Sequence, residues 1–244
     1  MKTHGASGTK MTGRIFQASL FVLLTLLCSC GGPKWQGIGP SHVTHKSKDL
    51  PWGARADDIK ISTNYDGKGN PAMFLACPGG GVWRSADFTS AEPTWVPLTD
   101  NVPNIKPETR RININFVSCI AIDPNHPQTI YAGAGGGPLA LLKSADGGDH
   151  WAMVGQGMTT NSIFGLTVDD HGYVYVGSNN AFYASQDGGN TFRNVNQLLP
   201  DGVDFVDTAY YKAQNAVTGS VYVGVVGRGD NGFLSGMLSV SWDN

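Results

Sequence analysis

One nine-residue stretch constrains this chain more than any other feature of its sequence. Residues 143–151, Lys-Ser-Ala-Asp-Gly-Gly-Asp-His-Trp, predict two short strands joined by a tight turn. Ser144 and Asp146 carry side-chain oxygens that can accept hydrogen bonds from the backbone N–H groups of the turn. Gly148 and the glycine before it supply positive φ angles without steric cost, and Trp151 closes the unit as a large apolar anchor. The stretch is therefore a compact structural unit.

The same pattern returns at three other places, so the chain is a repeat protein. The further copies contain Ser185, Asp187, Gly189 and Phe192; Ser85, Asp87 and, after a longer loop, Trp95; and, where the sequence ends, Ser241 and Asp243. The serines of successive copies are 59, 41 and 56 residues apart. The shortest spacing matches the roughly 40–50 residues of one four-stranded propeller blade, and the longer spacings leave room for inserted loops.

The predicted fold is all-β: a β-propeller of four-stranded antiparallel blades, each with the repeated motif as its turn between the third and fourth strands. About four blades are expected, over residues 57–98, 116–155, 163–197 and 203–244. The last copy lacks its outer strand, which predicts an incomplete propeller. In the alternative, a closed four-bladed ring, Trp35 in an N-terminal segment of residues 31–56 supplies that strand.

Residues 1–30 predict a lipoprotein-type signal peptide that is not part of the fold. A positively charged start precedes an apolar run over residues 15–27, which is shorter than the roughly 20 residues that span a bilayer. Cys30 follows the small residue Ser29, as in a bacterial lipobox, and is the predicted lipidation site. We expect an exported protein at the outer membrane or cell surface. An ordinary cleaved signal, with a periplasmic or secreted product, is the alternative.

Composition narrows the possible partners and the state of the cysteines. The net charge of −2 and the pI near 6.3 give no electrostatic footprint for nucleic acid. Cys77 and Cys119 lie in apolar runs that belong to different predicted blades. Export would permit a disulfide, but two separately buried thiols are the favoured interpretation.

These residues carry a resemblance to a known superfamily. Residues 119–138, followed by the motif at 143–151, resemble the Asp-box (bacterial neuraminidase repeat) β-propellers, which include sialidases, xyloglucanase-type glycoside hydrolases of family 74, sortilin-type receptors and photosystem assembly factors. Residues 35–40, Trp-Gln-Gly-Ile-Gly-Pro, resemble the start of exported xyloglucanase-like members. The resemblance covers residues 34–244. It implies the propeller and its Asp-box turns, but it specifies no activity, because the box is a structural turn.

The predicted arrangement of blades gathers several loops on one face, around the central channel, and the glycine-rich residues 133–138 are expected to form one of them. Polar residues of these loops are the candidates for ligand binding: Asp100, Glu108, Arg110, Arg111, Asp201, Asp204, Arg228 and Asp230. Carboxylates and arginines beside aromatic rings would suit the hydroxyls and rings of sugars.

Catalytic residues are not assigned by the sequence. A glycosidase needs two carboxylates across the scissile bond. The Phe/Tyr-Arg-Ile-Pro segment of sialidases is absent, and the possible counterpart of the xyloglucanase catalytic motif, residues 54–58, lacks the glycines and tyrosine of that motif. Residues 66–70 resemble a calcium loop only faintly, and His42 and His45 have no nearby third ligand, so neither a metal nor a cofactor is predicted.

The sequence therefore predicts glycan or ligand binding at the cell envelope. The expected partners are a polysaccharide or glycan, or envelope proteins, with membrane contact only through the lipid anchor. One alternative is a glycoside hydrolase of xyloglucanase or sialidase type with part of its site missing from this chain. Another is a protein-binding assembly scaffold.

Overall fold

The structure is a computed structural model of the 244-residue chain. It describes residues 43–45, 48–50, 55–100, 113–135, 141–160, 162–179, 181–199, 203–211, 219–229 and 232–240. The chain divides into two compact units, Met1–Gly37 and Ile38–Asn244, and every described residue belongs to the second. None of the helices within these ranges has the length and apolarity required to cross a membrane.

The described residues form short antiparallel strands, most of them grouped into four sheets. A separate two-stranded hairpin comes first: β1 (Val43–His45) and β2 (Lys48–Leu50). Blade 1 contains β3 (Asp58–Ser62), β4 (Ala72–Cys77), β5 (Gly81–Ser85) and β6 (Val96–Pro97). Blade 2 contains β7 (Asn113–Ile122), β8 (Ile130–Gly135), β9 (Leu141–Ser144) and β10 (Ala152–Val154).

The third and fourth sheets repeat the same order. Blade 3 contains β11 (Ile163–Val168), β12 (Val174–Ser178), β13 (Ala181–Ser185) and β14 (Arg193–Asn194), followed by a 3-10 turn, Asn196–Leu198. Blade 4 contains β15 (Val203–Tyr211), β16 (Ser220–Gly229) and β17 (Gly232–Val240). It has three strands among the described residues.

The core lies between consecutive sheets, because both faces of each middle strand are apolar. Separate buried clusters join blade 1 to blade 2, blade 2 to blade 3 and blade 3 to blade 4. Their large buried side chains include Phe74, Ile120, Tyr131, Leu141, Tyr175 and Phe182. Each such side chain contributes about 1.5–3 kcal/mol by leaving water. The first strands of neighbouring blades, β3, β7, β11 and β15, lie side by side. This is the architecture of a β-propeller, of which the structure contains four blades.

The repeated motif of blade 2 forms a turn held by its own side chains, called here a Ser-x-Asp turn. The Ser144 hydroxyl accepts a hydrogen bond from Gly148 N at 2.9 Å and donates one to Asp146 at 2.8 Å. The Asp146 carboxylate in turn accepts the N–H of His150 at 2.9 Å. Trp151 is 4% exposed and donates its indole N–H to Gly148 O. The turn thereby anchors the start of strand β10 in the core.

The turn of blade 3 uses the same bonds, and the turn of blade 1 keeps those of its aspartate, which accepts from the Ser85 hydroxyl at 2.9 Å. In blade 3, Ser185 donates to Asp187 at 2.7 Å, and Asp187 accepts the N–H of Thr191 at 2.9 Å. In blade 1, Asp87 accepts the N–H of Thr94 at 2.8 Å, seven residues along the chain instead of four. The inserted residues therefore leave the acceptor and its role unchanged.

Each of the turns in blades 2 and 3 is also held by the preceding blade. Arg84 of blade 1 donates to Gly147 O at 2.8 Å. Tyr131 and Lys143 of blade 2 donate to Gly188 O at 2.9 and 2.8 Å. The carbonyl groups that these tight turns leave unpaired are thus satisfied from the neighbouring sheet, which fixes one blade against the next.

The structure corrects the interpretation of one glycine-rich segment. Residues 133–138 were expected to form a loop, but β8 continues through Gly135, which pairs with Asn113. A Cβ atom at Gly133 would lie 2.4 Å from Cys119 Sγ, so this glycine is required by close packing between strands. The hairpin of β1 and β2 has no counterpart among the sequence predictions, and the fourth motif, with Ser241 and Asp243, lies outside the described residues.

Substitution of Gly147 by alanine should destabilise the protein more than the same substitution of Gly172. Both glycines have positive φ, 75° and 79°, so both alanines incur the roughly 1–2 kcal/mol of left-handed backbone strain. A Cβ at Gly147 would also lie 2.2 Å from Tyr65 O in blade 1, whereas at Gly172 it would meet nothing within 4 Å. We expect Gly147→Ala to cost a further 1–3 kcal/mol, roughly, from this overpacking, measured by urea unfolding. Equal losses in the two variants would contradict the contact between turn and preceding blade.

Acidification should weaken the hydrogen bonds that Asp187 accepts in the turn of blade 3, but only at low pH. The hydroxyl of Thr191, and next its N–H, hold the pKa of Asp187 down at about 2. A lowered pKa contributes stability that is present above the unfolded value of about 3.9 and is lost as the pH falls towards 2. Carbon-detected NMR titration should report this pKa, and Thr191→Val should raise it towards the ordinary value. A wild-type Asp187 that titrates near 4 would contradict the described bonds.

Candidate functional site

The inner strands of the four blades line one cavity of about 310 Å³. It lies where β3, β7, β11 and β15 converge, along the wall of the propeller channel. Most of the lining residues are polar or charged: Asp57, Asp58, Lys60, Ser118, Cys119, Phe164, Leu166, Thr167, Asp207, Thr208 and Ala209. All four blades therefore contribute to the same concave surface.

Four of the positions along this wall are equivalent in the repeat. Asp58, Cys119, Gly165 and Asp207 each pair with a small residue of the next strand in their own sheet. The pairing residues, in the same order, are Ala76, Gly133, Gly177 and Gly224. Blades 1 and 4 therefore place carboxylates at this level of the channel. Blade 2 places a thiol there, and blade 3 has a glycine without a side chain.

Asp58 is engaged with its surroundings through both oxygens. One accepts from Lys60 Nζ at 2.5 Å and from Ile59 N at 2.8 Å. The other accepts from Ile120 N of blade 2 at 2.9 Å. Because the carboxylate joins the inner strands of two blades, its main role is to position them. Ser118 has a similar role, since it donates to Ile163 O of blade 3 at 2.6 Å.

Asp207 is the carboxylate most open to a ligand. It is exposed, accepts the N–H of Thr208 at 2.7 Å, and forms no ion pair with any residue that the structure describes. Asp57, by comparison, is paired with Arg55 through two hydrogen bonds. The hydroxyl of Thr208 is buried without a hydrogen-bond partner among the described residues, and a buried polar atom of this kind indicates a site for water or for a ligand group.

The two cysteines are free thiols, buried in different blades, as the sequence favoured. Burial raises the pKa of the Cys119 thiol far above its ordinary value, and the charges of Asp58 and Asp207 raise it further. Burial, with a smaller effect of Asp57, raises the pKa of Cys77 to about 11. Neither thiol is therefore a nucleophile at neutral pH, because the thiolate is the reactive form.

A second cavity, of about 390 Å³, adjoins the first at the turns that follow the inner strands. Lys60 and Thr167 line both cavities, so the two cavities are neighbours. The remaining lining residues are mainly hydroxyl-bearing, proline and aliphatic: Ile61, Ser62, Thr63, Ala121, Ile122, Asp123, Pro124, Pro127 and Val168. Its charged lining residues are Asp123 and Lys60, so this cavity offers fewer groups for specific recognition than the first cavity.

The structure places only part of the predicted ligand-binding set. Asp100 is exposed after β6, and Asp204 is exposed near the start of β15. Neither of them lines the cavity. Arg228 lies in β16, opposite Phe233. The other candidates lie outside the described residues: Glu108, Arg110, Arg111, Asp201 and Asp230. These loop positions remain predictions.

Asp207 and Thr208 are not in the predicted set, because the predicted site residues lie in loops whereas these two lie in strand β15. A signal was available, since residues 203–208, Val-Asp-Phe-Val-Asp-Thr, place polar side chains on an inner strand that is otherwise apolar. Asp57 and Asp58 belong to the segment that was compared with the xyloglucanase motif, and the structure places both on the cavity wall.

Two acidic turns are accounted for by their own hydrogen bonds. Asp169, Asp170 and His171 lie close enough together to hold a metal ion. However, Asp169 already accepts the N–H groups of His171 and Tyr173 and the hydroxyl of Tyr175, each at 2.9 Å. We therefore assign this cluster to the turn between β11 and β12 and do not assign a metal.

The turn at residues 66–70 has the same character. Asp66 accepts the N–H of Lys68 at 2.9 Å and the side-chain amide of Asn70 at 2.6 Å, and the latter bond is the main cause of its lowered pKa. A hairpin turn is thus formed where a calcium loop was faintly suggested. His45 lies in β1, and His42 is outside the described residues.

No protein-family model and no curated protein matches this chain. Among solved structures it is similar to the GH74 xyloglucanase of Xanthomonas campestris, at 18% identity and a TM-score of 0.49 over 80% of this chain and 32% of that one. It is also similar to the GH74 enzyme of Niastella koreensis, at 21% identity and a TM-score of 0.46 over 79% of this chain and 30% of that one. The similarity to YCF48 from Cyanidioschyzon merolae is at 15% identity and a TM-score of 0.47, over 79% of this chain and 59% of that one. The chain thus spans about a third of the length of the GH74 enzymes, and at these scores the likenesses support no inference about function.

Alkylation should distinguish the buried thiols from exposed ones. We expect Cys77 and Cys119 of the folded protein to resist iodoacetamide at pH 8, because burial keeps both in the thiol form, and to react within minutes in urea. Peptide mass spectrometry of the labelled chain separates them from Cys28 and Cys30. Rapid labelling of Cys119 under native conditions would contradict its position between blades 2 and 3.

Proposed function

We propose that this protein binds a short neutral glycan, or a polyol of similar shape, in the cavity lined by its inner strands. The observation that carries the proposal is the convergence of polar side chains from all four blades on one concave surface of about 310 Å³. This volume lies within the range of small-molecule sites, about 300–1,000 Å³. A cavity at its lower end suits one or two sugar rings.

The hydrogen-bonding groups of the cavity match those of a sugar. Carboxylates accept hydrogen bonds from hydroxyl groups, and these charge-assisted bonds are stronger than neutral ones. Asp207 accepts one hydrogen bond, from Thr208 N, and can accept more, while the buried hydroxyl of Thr208 has no partner among the described residues. Phe164, which is exposed in the same wall, offers an apolar surface beside them.

The charge of the cavity favours a neutral ligand over an anionic one. Asp57 is paired with Arg55 and Asp58 with Lys60, which leaves Asp207 as a carboxylate without an opposite charge among the described residues. A second negative charge within a few ångströms would be repelled by this group. A sialic acid or a uronic acid is therefore a poorer candidate than a neutral hexose or pentose unit.

A glycoside hydrolase is the second candidate, favoured by the presence of three carboxylates on the cavity wall. Hydrolysis needs one carboxyl as acid and another as base or nucleophile. Asp58 is committed to hydrogen bonds between blades, and Asp57 is committed to Arg55. Within the described chain only Asp207 is available, so binding without hydrolysis is the function that this geometry supports best.

The proposed setting of this function is the cell envelope. Residues 1–30 support export with lipidation at Cys30, and the Ser-x-Asp turns, with their sequence resemblance to Asp boxes, support membership of that propeller superfamily. A lipid anchor would hold the binding surface at the outer membrane or cell surface. The glycan partner would then be an extracellular or envelope polysaccharide.

Calorimetric titration with neutral oligosaccharides tests the proposal. We expect a xyloglucan or cello-oligosaccharide to bind the wild-type chain and sialyllactose to bind at least about tenfold more weakly, because of the repulsion by Asp207. Asp207→Asn and Thr208→Val should each weaken binding by about tenfold, as expected for the loss of one hydrogen bond to a polar or charged group. Glu92→Gln, in the exposed insertion of blade 1, is the matched control and should leave the affinity unchanged.

Three results would contradict parts of this account. Binding that survives both Asp207→Asn and Thr208→Val would place the ligand elsewhere. Release of reducing ends from the oligosaccharide, lost in Asp207→Asn, would favour the hydrolase. An absence of binding to every neutral and anionic saccharide would reject glycan binding and leave the scaffold as the better explanation.

A further inference from the structure

Blade 1 and blade 4 each have a face that belongs to none of the buried clusters formed by the described residues. The blade 1 outer face is defined by Ile59 and Ile61, which are 52% and 53% exposed. The blade 4 outer face is defined by Asp207, Tyr222 and Val226, and Val226 is 49% exposed. Since exposed aliphatic side chains at the end of a stack of sheets are unfavourable, both faces need an explanation.

Ile59 and Ile61 stand at positions that the other blades use to pack on the blade before them. The equivalents of Ile59 are Ile120 and Leu166, which are 0% and 4% exposed. The equivalence follows from strand pairing: the cross-strand partners of these three residues are Leu75, Ala132 and Val176. Two residues further along each first strand, the equivalent cross-strand pairs are Ile61 with Met73, Ile122 with Ile130 and Val168 with Val174. These pairs support the same alignment of the blades. The blade 1 outer face therefore has the register and chemistry of a blade-docking face.

The blade 4 outer face is the matching half. Tyr222 is the equivalent of Phe74, Tyr131 and Tyr175, which are at most 1% exposed because each packs between two blades. Tyr222 is only half-buried. Asp207 stands at the level from which Asp58 accepts the backbone N–H of the following blade. Blade 4 thus presents an aromatic residue and a carboxylate of the kind by which one blade contacts the next, without a following blade among the described residues.

We propose that the blade 4 outer face of one copy of this chain docks on the blade 1 outer face of a second copy. The chain itself carries both halves of the interface. At all three interfaces that are already formed, an aromatic residue of one blade, Phe74, Tyr131 or Tyr175, belongs to a buried cluster with aliphatic residues of the next blade. Two copies related by a two-fold axis can make this contact twice, which gives one ring of eight blades. Eight blades lie within the usual range of about four to eight, and a head-to-tail contact closes when its rotation fits the ring.

This assembly would also complete the wall of the cavity. Asp57 and Asp58 belong to the first inner strand and Asp207 to the last, so the cavity ends at both outer faces. The inference rests on strand register and exposure, and it stands whether or not the cavity binds a glycan.

Sedimentation equilibrium of the full chain in a non-ionic detergent tests the assembly. We expect twice the 25.9 kDa chain mass. Ile59→Lys/Ile61→Lys, and separately Tyr222→Lys/Val226→Lys, should each raise the dissociation constant by about 100-fold or more, because charged side chains replace buried apolar ones at both contacts. The matched control is Val96→Lys/Leu198→Lys, which adds two lysines at positions 48% and 40% exposed outside these faces and should remain dimeric. Circular dichroism verifies that each variant is folded.

A mixture of the two interface variants tests the head-to-tail geometry. Each variant retains one native face, so equal amounts should form a dimer at a concentration at which either alone is monomeric. A monomeric wild type would overturn the proposal. A dimer that persists in Ile59→Lys/Ile61→Lys would place the contact elsewhere, and a dimer lost in that variant but kept in Tyr222→Lys/Val226→Lys would show a face-to-face contact of two blade 1 faces.

Discussion

The hydrogen bonds of one serine hydroxyl organise the turn of blade 2 and, again, that of blade 3. Ser144 and Ser185 accept an N–H from the second glycine of the turn and donate to the aspartate beside them. These bonds fix the turn between the third and fourth strands, and the aromatic residue that follows is thereby carried into the space between two sheets. The turn also leaves a glycine carbonyl to which side chains of the preceding blade donate. A local motif of about eight residues therefore determines both the shape of a blade and its attachment to its neighbour.

Comparison of the four blades shows which positions have the same type of residue in each blade and which positions differ. The strands that pack between blades use mainly aliphatic and aromatic residues at equivalent positions. The inner strands have one level at which the residue differs from blade to blade, and it is occupied by Asp58, Cys119, Gly165 and Asp207. Asp58 joins two blades, Cys119 is buried between blades 2 and 3, and a Cβ at Gly165 would lie 2.5 Å from Thr208 N. Asp207 is therefore the exposed side chain at this level. The proposed binding cavity is a consequence of this arrangement.

The fold was predictable from the sequence, and the candidate site was predictable only in part. The spacing of Ser85, Ser144 and Ser185 and the short alternating strands between turn residues were sufficient for a propeller. The prediction of a loop at Gly133 was wrong because a glycine occurs both in turns and where two strands approach closely. Only the position of Cys119 in the structure shows that the second case applies here. Asp207 was missed because its significance depends on register: it lies opposite Gly224, level with Asp58 three blades away. Such a relation between distant residues is not visible in the local sequence.

The most direct test of this account is native-state hydrogen exchange at the amides of Gly148 and Gly189, which donate to Ser144 and Ser185. If the turns hold the blades as described, both amides should exchange only through global unfolding. They should then show the same free energy of opening and the same denaturant dependence as core strand amides such as those of Val176 and Ala132. Exchange at the rate of an exposed loop, or opening with little denaturant dependence, would show that the turns fray independently, and it would contradict the central role assigned to them.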